Sequence, residues 1–306
     1  MRLDQTFTPV ETYHPFRRPD DKPNKAPFGL RPGADPDPHG NPGRLDASAA
    51  DARSTGLNRL DVDCRDCPVR INGLCRSLTP ETLRLLANCK LRSRKLKAGQ
   101  DLIGQGEPCD SVFNLVEGWI ALYAISENGR RQIVHFALSG AIVGLESIGG
   151  ATASYGAQAL TDVTICEIPR QALGPLSEAR PEIGMRLASM IGRDRSLSLE
   201  HVISLGQQSA RERVARLLLE LFVRSRAQWP GHAVEELLLP LTQEHIGDAT
   251  GLTGVHVNRV LSRFRRDGIL EFHYRRLKIV DPDRLLEIAG VSPHSAMSWI
   301  DNGSAI

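Results

Sequence analysis

The sequence contains no run approaching the roughly 20 apolar residues that cross a bilayer as a helix. Its first residues (Met1, Arg2, Leu3, Asp4) also lack the apolar core of a secretion signal. These absences predict a cytoplasmic protein with no membrane partner. A strong charge of either sign is missing too: 38 Lys and Arg stand against 36 Asp and Glu, a net +2. So mild a total does not announce nucleic acid, and any basic footprint has to be local. Six cysteines (Cys64, Cys67, Cys75, Cys89, Cys109 and Cys166) would then sit in a reducing compartment. There, clustered thiols signal metal or redox chemistry more often than structural disulfides.

At 306 residues the chain has room for two cores, since most domains run to about 100–150 residues. Residues 1–58 are crowded with Pro, Gly, Asp and Arg and show no sustained apolar period, which predicts a disordered tail. From Lys97 to Ile168 short β-rich runs alternate with turn residues, at 111–116, 119–125, 131–137, 155–161 and 163–168. Asn128-Gly129 marks a hairpin, because that pair tolerates the positive φ of a tight turn. Strands so spaced, with no helix of useful length between them, predict a small β-barrel or roll.

After Pro175 the pattern turns helical, over 182–206 and again over 209–226. A strand over 236–241 follows, then Thr242 as the cap of a short helix over 243–250, Gly251 as a turn and Thr253 as the cap of a longer helix ending near Asp267-Gly268. Residues 269–280 read as two strands hinged at 273–276. Helix, turn, helix and a two-stranded wing form a DNA-reading layout.

Within the longer helix, Val255, Asn258 and Arg259 are spaced by three and four and share a face, with His256 beside them. Leu252, Val257, Val260, Leu261 and Phe264 supply the face that seats the helix on its own domain. Arg can contact guanine bidentately in the major groove, and Asn can pair with adenine. Between residues 259 and 278, seven basic residues (Arg259, Arg263, Arg265, Arg266, Arg275, Arg276, Lys278) oppose two acidic ones (Asp267, Glu271). That is the local footprint hidden in the total. The expected DNA contacts are Val255, His256, Asn258, Arg259, Arg263, Arg265 and Arg266. The other reading, a solvated basic helix in a protein-binding winged domain, does not explain why turn, seat and wing agree.

Cys64, Cys67 and Cys75 form a CxxC, seven further residues and a third Cys, in a loop-like segment with Pro68, Asn72 and Gly73. Two thiolates at that spacing can hold one ion or cluster, and a third can close over it. A structural zinc site would normally add a second CxxC or a His pair, absent from residues 68–100, so a fourth ligand has to come from far away. Cys166, in the strand over 163–168, is the candidate; Cys89 and Cys109 read as buried or incidental thiols. Iron–sulfur, zinc, a redox disulfide and no site at all remain open on spacing alone. A thiol oxidoreductase does not, because its CxxC should open a helix after a strand, and residues 61–73 have no such flanks.

From about Cys64 to Gly290 the chain resembles the CRP/FNR family, and within it the FNR/FixK-like oxygen-responsive branch. The passages that carry the likeness are CRDCPVRINGLC, IVGLESIGG with YGAQALTDVTICEIP, and LTGVHVNRVLSRF. The resemblance implies an oxygen-labile [4Fe–4S] cluster on Cys64, Cys67, Cys75 and Cys166. It also implies RNA polymerase as a partner, and double-stranded DNA bound by a homodimer at a palindrome similar to TTGAT, four free bases, ATCAA. The family's Arg-Ser pair for cyclic nucleotide is missing from residues 154–159, so no cyclic nucleotide is expected. Two departures stand out: the seven-residue gap before the third cysteine, and Val255 and Asn258 where the family's reading helix carries Glu and Ser. The alternative within the family is a regulator sensing a small-molecule effector, with zinc or no metal at the cysteines.

The fold class expected is α+β: a cyclic-nucleotide-binding-type β-roll, a long dimerisation helix and a C-terminal winged helix-turn-helix. The division is a tail over 1–58, cysteine loop and roll over 59–174, dimerisation helix over 175–207, winged domain over 208–291 and a second tail over 292–306. Along the dimerisation helix, steps of three and four give Ile183, Leu187, Met190, Asp194, Leu197 and His201, with Ala188, Ile191, Arg195, Ser198, Val202 and Leu205 as the adjacent row. The helix is expected to form the dimer seam, with Asp194 facing its own copy across the twofold axis and Asp194 and Arg195 lining the seam as the switch. The other reading puts both on the solvated side of a wider stripe.

Overall fold

The computed structural model describes residues 64, 66–71, 73–145, 152–226 and 235–300. The tail expected over residues 1–58 lies outside the described residues. The first helix, α1 (Pro80–Cys89), starts where the Thr79 side chain accepts the Thr82 N–H and Pro80 supplies a preset φ. Eight strands follow: β1 (Arg92–Leu96), β2 (Asp101–Ile103), β3 (Ser111–Glu117), β4 (Ile120–Ile125), β5 (Arg131–Ala137), β6 (Ile142–Val143), β7 (Gly156–Ala159) and β8 (Val163–Pro169). They form two antiparallel sheets, in the orders β1-β8-β3-β6 and β2-β7-β4-β5. Alternation turns Phe113, Leu115, Val163 and Ile165 of one sheet onto Ile120, Leu122, Ala157 and Ala159 of the other, giving the roll its own core.

The five expected strands are present, and Gly129 has φ +76° in the β4–β5 turn. Three came as additions, β1, β2 and the two-residue β6. The roll begins at β1 rather than Lys97, because RSRKL buries only Ser93 and Leu96 and its charges hide the strand pattern; β2 is only three residues long.

The helical segment expected over 175–207 is two helices, α2 (Leu173–Ala179) and α3 (Pro181–Gln207), parted at Arg180 where Pro181 opens α3. The 27 residues of α3 make a rod roughly 40 Å long at 1.5 Å per residue. Its faces separate the two rows. Ile183, Leu187, Met190 and Leu197 are buried within the chain's own fold. Asp194 shares that side, half-buried and 3.6 Å from Arg193. The adjacent row is the one turned outward: Ala188, Ile191, Arg195, Ser198 and Val202 are exposed, and beside it Leu199 and Ile203 are further large apolar side chains left in solvent. Both rows are apolar at their ends; which one the roll covers is decided by long-range packing that the helical period does not encode.

Next come α4 (Ala210–Arg226), β9 (Glu235–Leu238), α5 (Gln243–Thr250), α6 (Gly254–Arg266), β10 (Leu270–His273), β11 (Arg276–Ile279), α7 (Pro282–Ala289) and α8 (Pro293–Met297). Strands order as β10-β11-β9. Gly247 lets α5 approach the following turn, since a Cβ there would lie 2.5 Å from the Leu252 carbonyl oxygen. Gly251 then takes the left-handed φ of +68° that ends α5. The segment expected as a tail from residue 292 is partly folded: α8 packs on the domain and Trp299 is 2% exposed, with its indole N–H donating to Glu200 at 2.9 Å. A single aromatic anchor after a five-residue helix is too short a signal for periodicity to register.

Candidate functional site: a nucleic-acid interface and a cysteine pocket

Helix α6 is positioned by its own chemistry. Thr253 accepts the His256 N–H at the cap, and Val257, Val260, Leu261 and Phe264 are buried against the domain core. Val255, His256, Asn258, Arg259, Arg263, Arg265 and Arg266 are all exposed on the opposite side. Arg259 has no ion-pair or hydrogen-bond partner among the described residues. The others are less free: Arg263 lies 3.8 Å from Asp267, which also binds Arg211 at 2.9 Å, and the Ser262 hydroxyl donates to Asn258 Oδ1 at 3.3 Å. Arg265 donates to the His273 ring at 3.1 Å, linking the helix to the wing. At the wing tip Tyr274 and Arg275 hold left-handed φ of +50° and +63°, and Tyr274 is 96% exposed. Arg276 is paired with Glu236 at 2.8 Å, which offsets part of the basic excess counted from sequence.

The cysteine segment is built from two short 3₁₀ turns, Pro68–Ile71 and Gly73–Cys75. Gly73, at φ +60°, lies so close to the corner before β6 that a Cβ would fall 2.0 Å from the Gly140 oxygen. This presses the loop onto the outer face of β3 and β8. Cys64, Cys67, Cys75 and Cys166 thereby line one pocket, completed by Leu74, Leu86, Lys90, Asn114 and Ile168. Cys89 and Cys109 are not in its wall; Cys109 is buried in the roll core, its thiol donating to the Ser111 carbonyl at 3.2 Å.

Burial, reinforced by Cys67, Cys64 and Cys166, pushes the Cys75 thiol up to about 12. Cys166 is raised in the same way by burial, against which Lys90 and the Ser93 hydroxyl work. Protonated and close together, these thiols give up their protons only to a group bringing positive charge. Among the described residues no three His, Cys, Asp or Glu form the tight set that grips a single ion. A four-iron cluster spreads its thiolates over separate corners, and a largely apolar pocket walled by four cysteines fits that donor set.

The pocket is tied to α3. Arg186 donates to the Gly73 carbonyl at 2.8 Å, and Leu74 and Cys75 pack with Ile183, Leu187 and Met190. A second joint links the roll to the reading unit: Arg131 of β5 stacks on Tyr123 at 4.3 Å and lies 3.9 Å from Asp248 of α5, while Gln132 donates to the Ala249 carbonyl at 3.1 Å. Sequence reasoning missed Lys90, Asn114 and both joints. Only Asn114 carries a local signal, a polar residue inside the apolar run Ser-Val-Phe-Asn-Leu-Val.

A β-roll, a long helix with an unpartnered apolar flank and a winged helix-turn-helix with an exposed basic reading helix together define a DNA-binding transcription regulator. Residues 93–179 match the family model for the cyclic nucleotide-binding domain, and residues 212–288 match that for the Crp-like helix-turn-helix domain. The chain is 33% identical over 227 residues to the transcriptional activator protein anr of Pseudomonas aeruginosa, covering 74% of this chain and 92% of that one. It is 34% identical to the transcriptional activator protein FnrL of Cereibacter sphaeroides (74% and 92% covered) and 30% identical to the fumarate and nitrate reduction regulatory protein of Vibrio cholerae (76% and 93% covered). The solved structure of FixK2 from Bradyrhizobium japonicum superposes with a TM-score of 0.58 at 28% identity, covering 65% of this chain and 98% of that one. The chain belongs to the CRP/FNR family of transcription regulators and is not an enzyme. The described residues contain no helix long and apolar enough to cross a membrane.

Proposed function

We propose that this regulator responds to oxygen through a [4Fe–4S] cluster held by Cys64, Cys67, Cys75 and Cys166, and that it binds palindromic promoter sites as a cytoplasmic homodimer with RNA polymerase as partner. The observation that carries the reading is the single pocket shared by a CxxC, a third cysteine from the same loop and a fourth from β8. When bound, the cluster supplies a reaction with oxygen that the protein's own side chains lack. The remaining work belongs to the chain. The four thiolates fix the loop on the roll. Leu74, Cys75 and the Gly73–Arg186 bond then carry the loop's position to α3. The outward row of α3, Ala188, Ile191, Arg195, Ser198 and Val202, is the dimer seam in this reading, with Arg195 as its unfavourable member because two copies meet near the twofold axis. The dimer sets two α6 helices into successive major grooves about 34–36 Å apart. Arg259 reads a base edge, Val255, His256 and Asn258 flank it, and Arg263, Arg265 and Arg266 hold phosphates. Cyclic nucleotide has no part in this reading.

Anaerobic purification followed by a visible spectrum and iron, sulfide and zinc analysis tests it. Brown protein with iron and sulfide in about equal amounts is expected, as four irons match four sulfides in such a cluster. Stoichiometric zinc without iron would overturn the cluster and leave a regulator sensing another effector.

A further inference from the structure

The outer face of β3 under the cysteine loop presents Val112, Asn114 and Val116, all buried. The middle residue is polar. Asn114 and Ser93 are the cross-strand neighbours of Cys166, one from β3 and one from β1, so the three form a row across the sheet with Cys166 at its centre. Ser93 is 7% exposed and Asn114 4%. Asn114 Oδ1 is buried without a hydrogen-bond partner, and the Ser93 hydroxyl faces the Cys166 thiol. A buried polar group left unsatisfied costs about 1–3 kcal/mol, and such groups are few in folded proteins. One such group beside Cys166, in the wall of the pocket that gathers the four thiols, points to a ligand there toward which the amide turns its other end.

The ligand's chemistry follows from theirs. A hydroxyl donates, and an amide can turn its NH2 toward the pocket. An iron–sulfur cluster presents thiolate and sulfide sulfurs, all acceptors, and donors around those sulfurs set how readily it is oxidised. Resting on the cluster reading above, we propose that Ser93 and Asn114 are positioning residues that donate hydrogen bonds to the sulfurs around Cys166 and slow the cluster's loss to oxygen. A hydrogen bond to sulfur favours the electron-rich state, so removing it makes the electron easier for dioxygen, the oxidant, to take.

The test compares anaerobically purified wild type with Ser93→Thr, Ser93→Val and Asn114→Leu. Each is measured for iron per protomer before exposure and for the half-life of its visible absorbance in air. Thr and Val have the same shape and both suit a strand; only Thr keeps the hydroxyl. The expected result is equal iron in all four proteins. Ser93→Val and Asn114→Leu should then bleach about fivefold faster than wild type, the factor equivalent to about 1 kcal/mol for one hydrogen bond, with Ser93→Thr at the wild-type rate. Equal half-lives for the Thr and Val proteins, with Asn114→Leu unchanged as well, would overturn the inference while leaving the cluster standing. A wild type without iron would instead overturn the cluster, and this inference with it. A melting temperature shared by the Thr and Val proteins separates a change in the site from a change in fold.

Discussion

Arg259 and its neighbours divide by what they touch. Arg259 is exposed without a protein partner, whereas Arg265 leans on His273 and Arg263 on Asp267. Replacing Arg259 by Ala should cost about 1–3 kcal/mol on the best site and little on random DNA, because base contacts carry discrimination. Arg266→Ala should weaken both and shallow the salt dependence, since each phosphate contact releases counterions. Fluorescence anisotropy at several salt concentrations separates the two; equal loss on specific and random DNA for Arg259→Ala would mean that another side chain reads the bases. At the cysteines, Ser at Cys64, Cys67, Cys75 or Cys166 should each remove the anaerobic colour, and Ser at Cys89 or Cys109 should not. Colour lost on changing Cys109 but kept on changing Cys166 would place the ligand elsewhere. These residues were legible because their signals are local: a capping Thr, a left-handed Gly and a CxxC are each written within a few positions. Lys90 and Ser93 were not, because Lys90 reaches the pocket from the end of α1 and Ser93 meets Cys166 only through the pairing of β1 with β8.

Among the elements, α3 shows where periodicity stops being informative. Its two rows differ little in composition, and only the presence of the roll and the cysteine loop on one side makes Ala188, Ile191, Arg195, Ser198 and Val202 the free row. Of the two residues expected as the switch, Asp194 and Arg195, only Arg195 lies on that free row. Arg195→Leu should shift the clusterless protein toward dimer, and Val202→Glu should keep it monomeric, both read by sedimentation; a dimer unaffected by Val202→Glu would place the seam on another surface. Packing of β5 on α3 and α4 also buries His135, whose ring is held well below its usual range by burial and by the cations Arg224 and Arg193, with His201 adding to them. The folded state keeps this ring neutral while the unfolded chain takes up a proton near 6.5. Stability is therefore full above that pH and falls as pH drops below it, by about 1.4 kcal/mol per pH unit for one such group. Denaturant melts of wild type and His135→Asn between pH 7 and pH 5 should show the slope lessened in the variant; parallel slopes would mean that His135 is not the group responsible.

Over the whole molecule, the cysteine pocket and the reading helix are joined by two sets of contacts rather than by one rigid path. The first runs from Gly73, Leu74 and Cys75 into α3 through Arg186 and the buried Ile183, Leu187 and Met190. The second runs from β5 into α5 through Arg131, Gln132, Asp248 and Ala249. The five main strands of the roll, the helix-turn-helix and its wing were legible from patterning. These joints were not, since each pairs residues distant in sequence whose own neighbourhoods give no sign of them. Energetically the joints matter only if the two states of the pocket favour different arrangements, because an effector shifts an equilibrium by no more than its differential affinity for the two states. The most direct measurement takes one anaerobic preparation and follows DNA affinity for a palindromic site, sedimentation and iron content before and after admitting air. Tight binding by an iron-loaded dimer, with affinity and dimer falling together as iron is lost, is the expected result. Equal affinity with and without iron would contradict an oxygen-responsive cluster at these four cysteines.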